Sequence, residues 1–207
     1  AMLIALSVTA GPAAAVDVAV NPALAQNLAA APKKLVLLPP QIFVSELSAG
    51  GVPSRKSDWE AVSRGNFAAA AERLARERGV FEVVPAPTLA PALDDLVEAH
   101  MGLYERVAAS VFIYGRGQDA AWAHKKNEFD YTLGPGLAFL ADATGADAAL
   151  IVLGADFISS GGRKLAFFAG LALGVVMPLG QSFFAAGIVD LKTGNVQWMG
   201  FDSSMSL

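Results

Sequence analysis

Two periods of hydrophobicity divide this chain into strands and helices. Apolar runs mark buried strands at Lys34–Pro39 and above all at Ala148–Ile158; Ile42–Leu47 reads as a second extended piece and Val80–Val84 as a further strand. Stripes at helical spacing lie between them. The first begins at Ser57, where Glu60 completes a capping-box pattern, and carries Trp59, Val62, Phe67, Ala70, Leu74 and Ala75 along one side. Glu72, Arg73, Arg76, Glu77 and Arg78 form its wet face, and Gly79 closes it as a left-handed cap. The second helix accepts Pro91 in its first turn, holds Asp94 and Asp95 near its positive end, and runs to about Tyr114. Its stripe is Leu93, Leu96, Val97, His100, Met101, Tyr104, Val107 and Ala108. A short helix follows at Leu137–Thr144, with Gly145 as its cap.

The stretch Ser48–Ser54 reads as a loop, and Gln118–Tyr131 is polar and predicts no element. Near the C-terminus, Phe183–Leu191 and Asn195–Ser203 flank Lys192-Thr193-Gly194-Asn195, which is hairpin-turn chemistry. Helices alternate with strands early and a hairpin comes late. That order predicts an α/β fold: a sandwich with a mixed sheet flanked by helices and a C-terminal β-hairpin.

One segment fits neither period. Between the block at Ala148–Ile158 and the hairpin lies an apolar insert at about residues 160–182, entered through Gly161-Gly162, which reads as a turn. Leu165 to Leu179 carries no charge, yet a spanning helix needs about 20 apolar residues and Pro178 and Gly180 break the run. Two readings stay open: an element packed on the sheet, or a surface that meets membrane or a partner protein. The candidate interaction surface is Leu165, Phe167, Phe168, Leu171, Leu173, Val176, Met177 and Leu179.

At the other end, Met2–Ala10 is apolar, small residues surround Ala13–Ala15, and Ala23-Leu24-Ala25 offers an A-x-A site before Gln26. Residues 1–25 therefore resemble a secretory signal peptide, 26–33 a linker, and 34–207 a single domain.

Composition narrows the chemistry. The 207 residues are 54% hydrophobic and only 16% charged, with a net charge of −4. An acidic chain whose basic clusters are no larger than pairs such as Lys33-Lys34 and Lys125-Lys126 lacks the footprint of a nucleic-acid binder. There is no cysteine, which removes thiol catalysis, disulfides and cysteine-based zinc sites. The two histidines, His100 and His124, have no ligand partners at metal-binding spacing. His100 lies on an apolar stripe and is expected to pack, while His124 is expected on a solvated turn. No phosphate-binding glycine motif or nucleophile elbow occurs; Gly115-Arg116-Gly117 follows a helix, and Ser159-Ser160-Gly161-Gly162 reads as a turn. The paired carboxylates Asp94-Asp95 and Glu128/Asp130 have no base or metal beside them. No catalytic residue, cofactor or metal is expected.

The C-terminal pattern also carries a resemblance. Gly145-Ala146-Asp147 before a buried strand, then Val189-Asp190-Leu191-Lys192-Thr193-Gly194-Asn195-Val196-Gln197-Trp198, resembles the curli secretion-channel (CsgG-like) superfamily, whose relatives include TolB N-terminal-like domains and lipoprotein activators of penicillin-binding proteins. The likeness covers about residues 141–203 and, in element order, 34–84. It implies a bacterial envelope protein that acts by assembly or protein contact. In curli channels the segment between these two strands enters the outer membrane; here it is short and uniformly apolar, and a second such hairpin has no counterpart.

The sequence therefore predicts a non-enzymatic protein of the periplasm or the periplasmic face of the outer membrane. Its partners would be envelope proteins or further copies of itself, with membrane contact through residues 165–179 and no nucleic acid. A curli-channel-like pore subunit is the first alternative, and an enzyme with an unrecognised site the second.

Overall fold

The structure, a computed structural model, describes residues 17–114, 123–125, 128–172 and 179–206. A mixed eight-stranded sheet is flanked by helices, and its last two strands form the C-terminal hairpin. In chain order the elements are β1 (Asp17–Val20), α1 (Pro22–Gln26), β2 (Lys34–Leu37), β3 (Gln41–Leu47), β4 (Pro53–Arg55), α2 (Ser57–Arg78), β5 (Glu82–Pro85), α3 (Pro91–Tyr114), α4 (Phe139–Thr144), β6 (Ala148–Ser159), α5 (Gly161–Ala172), β7 (Gly180–Asp190) and β8 (Val196–Ser206).

β6 is the spine of the sheet. On one edge it pairs antiparallel with β7, from Ala148↔Asp190 to Phe157↔Gln181. On the other it runs parallel first to β2 and then to β3, from Gln41↔Leu153 to Leu47↔Ser159. Pro39 and Pro40 separate β2 from β3, because neither has an N–H to give to the ladder. β5 adds in parallel outside β2, β4 adds antiparallel outside β3, and β8 and β1 extend the β7 side.

The two faces of β6 divide its residues by parity. Ala148, Leu150 and Val152 turn towards α2, whose Phe67, Ala68 and Ala71 cover Leu35 and Leu37 of β2 as well. Ala149 and Ile151 turn the other way, under α3, where Val97, Met101, Tyr104, Ala108 and Val111 are buried against Val36, Ala185, Val189, Met199 and Phe201. This explains why Ala148–Val152 reads as an unbroken apolar block: helices cover both faces, so no position is left for a polar side chain.

α3 comes closest to the sheet at its middle. Tyr104 is fully buried, and a Cβ on Gly187 of β7 would stand 2.3 Å from its hydroxyl oxygen. That hydroxyl has no hydrogen-bond partner among the described residues, and burial pushes its pKa up.

The C-terminal signature is used up in local structure. Asp190 Oδ1 accepts from the amides of Lys192 (3.1 Å) and Thr193 (2.8 Å) and from the Thr193 hydroxyl, folding the hairpin turn. Gly194 has φ +75°, and any Cβ there would strike the Gly134 carbonyl, because the 131–134 segment docks on the turn through Leu133 N–H to Gly194 O. In Gly145-Ala146-Asp147, the glycine caps α4 at φ +66°, and the Asp147 carboxylate accepts from the amides of Lys33 (2.9 Å) and Lys34 (3.0 Å). The aspartate thereby fixes the start of β2 beside β6.

Several sequence expectations change. Pro53 and Ser54, at the end of the expected loop, pair with Leu47 and Glu46 as part of β4, and Val62, expected on the apolar stripe of α2, is 62% exposed. The sheet reaches into the expected leader, because Asp17–Val20 pairs with Trp198–Phe201 and Ala19 turns into the core. A short helix and a 3-10 turn (Leu28–Ala30) follow it. Ser57 is not a cap: α2 is preceded by Lys56 with no side-chain cap bond, and Glu60 points elsewhere. Gly161-Gly162 does not make a turn; it opens α5. Gly115–Gly117 and most of the polar 118–127 segment lie outside the described residues.

Close approach at Gly187 and the unpartnered Tyr104 hydroxyl give opposite expectations. Gly187→Ala should destabilise by about 1–3 kcal/mol through overpacking. Tyr104→Phe should leave stability unchanged or raise it, since it deletes a buried group that forms no bond. Urea titrations of the two variants check this; a large loss in Tyr104→Phe would mean the hydroxyl has a partner.

Candidate functional site

The insert between β6 and β7 folds into α5. Ser160 starts it as an N-cap: its hydroxyl accepts from the Arg163 amide (3.2 Å), and its carbonyl accepts from Lys164 N–H (3.1 Å). The first turn leans on the β3–β4 loop, with Gly162 facing Ala49 and the Arg163 guanidinium lying over Gly51. The Ser159 hydroxyl donates to the Leu179 carbonyl, which ties the two ends of the insert together.

The helix separates residues that the sequence reading groups together. Phe167 turns inward and is 7% exposed, whereas Leu165 and Phe168 are 72% and 65% exposed. The outward arc also carries Gly161, Lys164 and Ala169. Leu171 lies in the last turn of α5, and Leu179 is half-buried just before β7. Leu173, Val176 and Met177 lie outside the described residues. Within α5, Phe167 is thus the buried residue, while Leu165 and Phe168 face solvent. Val52, in the loop that α5 touches, is 67% exposed and extends the apolar tip.

Burying a leucine or phenylalanine contributes about 1.5–3 kcal/mol each. Two such side chains, about 3–6 kcal/mol together, reach only the low end of the roughly 4–15 kcal/mol that association costs. A partner of α5 must therefore engage further surface.

Two concavities accompany this tip. One, of about 560 Å³, lies between the C-terminal end of α2 and the start of β5, lined by Lys33, Glu72, Arg76, Phe81 and Glu82. Its charges balance, and it sits at the N-terminal ends of parallel strands, opposite the end where α/β sheets usually bind ligands. The other, of about 240 Å³, lies between the last turns of α3 and strands β6 and β7. Ala108, Ala109, Phe112, Ile113, Leu153 and Phe183 line it, with Glu105 as the charged residue among the described ones. Phe112 and Phe183 meet edge to face at 5.6 Å in its wall.

The most buried charge is Glu60, 2% exposed. Arg55 of β4 grips it with two bonds, Nε to Oε1 (2.7 Å) and Nη2 to Oε2 (2.9 Å). The Val44 amide of β3 donates to Oε1 at 3.3 Å, and Arg64 stands one helical turn on at 3.7 Å. Arg55 also lies 4.8 Å over the Phe43 ring. The bonds from Arg55 hold the Glu60 carboxyl below its ordinary pKa, and burial opposes them. This cluster joins β3, β4 and α2 and so fixes the loop on which α5 leans.

His100 is half-buried, and its Nδ1 donates to the Leu96 carbonyl at 2.8 Å, the packing role expected of it. His124 is exposed. Among the described residues no group of three or more His, Cys, Asp or Glu side chains could hold a metal ion, and no helix is long and apolar enough to cross a membrane.

Sequence reasoning misses the groove and the Glu60 cluster. Ala109 and Ile113 are apolar positions off the buried stripe of α3, which is the available signal for the groove. Arg55 and Glu60 belong to different elements, so no periodicity links them.

No protein-family model matches the chain, and no curated protein does. Among solved structures, the crystal structure of lipoprotein GNA1162 from Neisseria meningitidis aligns with 84% of this chain and 83% of that one, at 16% identity and a TM-score of 0.35. A likeness that distant transfers nothing from one protein to the other.

The Glu60 cluster sets an acid dependence. A carboxyl whose folded pKa is depressed adds stability that is present above its unfolded value of about 4.3 and is lost as pH falls through the folded value. Glu60→Gln should therefore be less stable than wild type at pH 7, and the gap should narrow below about pH 4. Denaturation midpoints measured from pH 7 to pH 3 test this; a gap that stays constant would contradict it.

Proposed function

We propose that this chain is a non-enzymatic component of the bacterial cell envelope, periplasmic or on the periplasmic face of the outer membrane, that works through protein–protein contact at the outer arc of α5. The observation that carries the proposal is that arc: Leu165 and Phe168 stand 72% and 65% exposed on a helix anchored by the buried Phe167. Paired, fixed apolar side chains at a tip are what an interface core uses. The envelope location rests on the leader-like apolar run and small residues of Met2–Ala15, upstream of β1, and on the resemblance of residues 141–203 to the curli secretion-channel superfamily.

A curli-like pore subunit is less well supported. That reading needs strands where this chain places the helix Gly161–Ala172.

Cell fractionation followed by co-purification tests the proposal. Phe168→Glu should keep stability within about 0.5 kcal/mol of wild type, as exposed substitutions do, and should lose the envelope proteins, or the further copies of itself, that wild type retains. Recovery of the protein from the cytosol, or unchanged co-purified proteins together with unchanged self-association, would overturn it.

A further inference from the structure

The outer arc of α5 has a counterpart on the same molecule. α5 presents a convex apolar pair, Leu165 and Phe168, with the exposed cation Lys164 beside it. The groove of α3, β6 and β7 is concave and apolar, with the exposed anion Glu105 at its rim. This half-open groove has a volume of about 240 Å³, above the roughly 150 Å³ of a cavity that accepts a benzene ring, so its size suits an aromatic side chain. Phe112 and Phe183 meet edge to face in its wall, and Phe201 completes the cluster at 5.7 Å from Phe112.

We infer that the partner of α5 is a second copy of this chain, with Leu165 and Phe168 of one protomer seated in the Glu105–Ile113/Leu153/Phe183 groove of the other and Lys164 facing Glu105 across the contact. This rests on the reading of α5 as the interaction surface and names what it binds. Knob and socket are different surfaces, so the contact either closes about a two-fold axis, with each protomer giving one of each, or continues head to tail. In both arrangements each protomer uses its tip and its groove, and this supplies the additional buried surface that two side chains alone lack. Opposite charges beside the knob, at Lys164, and in the socket lining, at Glu105, favour this occupant.

Sedimentation velocity of the purified chain over a concentration series tests the inference, with circular dichroism confirming that each variant is folded. Wild type should associate reversibly. Phe168→Glu should weaken association by roughly thirtyfold or more, as loss of a central aromatic anchor does. Lys164→Glu and Glu105→Lys should each weaken it by about tenfold, and the double variant, which restores opposite signs across the contact, should return most of that loss. A wild type that stays monomeric at its highest soluble concentration would overturn the inference. So would single charge reversals without effect, or a double variant as weak as the sum of its parts. Flotation of monomeric wild type with anionic vesicles, lost in Lys164→Glu, would overturn it in favour of a lipid surface. If Phe168→Glu loses its envelope partners while wild type is monomeric, only the identity of the partner is wrong. If Phe168→Glu keeps every partner and every association, the reading of α5 fails with it.

Discussion

Burial of β6 on both faces, with hydrogen-bonded neighbours on both edges, is the constraint from which the rest of this fold takes its position. Residues Ala148 to Val152 alternate between the α2 and α3 faces, and nearly all are fully buried. A one-residue slip would exchange the two sets and drive Ala149 and Ile151 under the wrong helix. Register is further held at the start of the strand, where Asp147 takes two amides from the β2 side and its own carbonyl accepts from Leu191 N–H. Farther along, β3 replaces β2 on the same edge, and Glu60 locks β3 to β4 and α2. α5 emerges from the end of this braced strand. Its direction is therefore set by the scaffold, although few of its own side chains are buried.

Most of this architecture was legible because it depends on period and punctuation. Gly79 and Gly145 cap helices at positive φ, and Gly194 turns the hairpin, each where the sequence expects it. The helical stripe of α3 is the buried one, and the apolar block at 148–158 is the central strand. What escaped depends on contacts between distant residues. Ser57 and Glu60 have capping-box spacing, yet Glu60 is drawn inward by Arg55 and the Val44 amide, a pairing across three elements. Gly161-Gly162 looks like a turn because glycine disfavours helices, but Ser160 caps the first turn, which rests on Ala49. The edge strand β1 escaped because a leader-like composition and a short Val-Ala-Val strand overlap in sequence.

The candidate surface was legible only by composition. An uncharged insert marks a segment but not a face, so Leu165, Phe167 and Phe168 looked equivalent. Helical geometry separates them, turning Phe167 into the core and leaving the other two outward. Core and surface roles are thus divided within a single turn of helix. The same logic picks out the groove on α3, where Ile113 is 51% exposed two residues beyond the buried Val111. A stripe too wide for its own core is a sign of a second contact.

The central claim is that the outer arc of α5 is covered by protein when this chain is at work. Because the chain has no cysteine, single thiols can be introduced at Ala169→Cys, on the outward arc beside the intact Phe168, and, as a reference, at the exposed Ala69→Cys of α2. Maleimide labelling should proceed equally at the two sites in dilute purified protein, and in intact cells it should be strongly slowed at position 169 alone. Equal labelling at both sites in cells would contradict the claim.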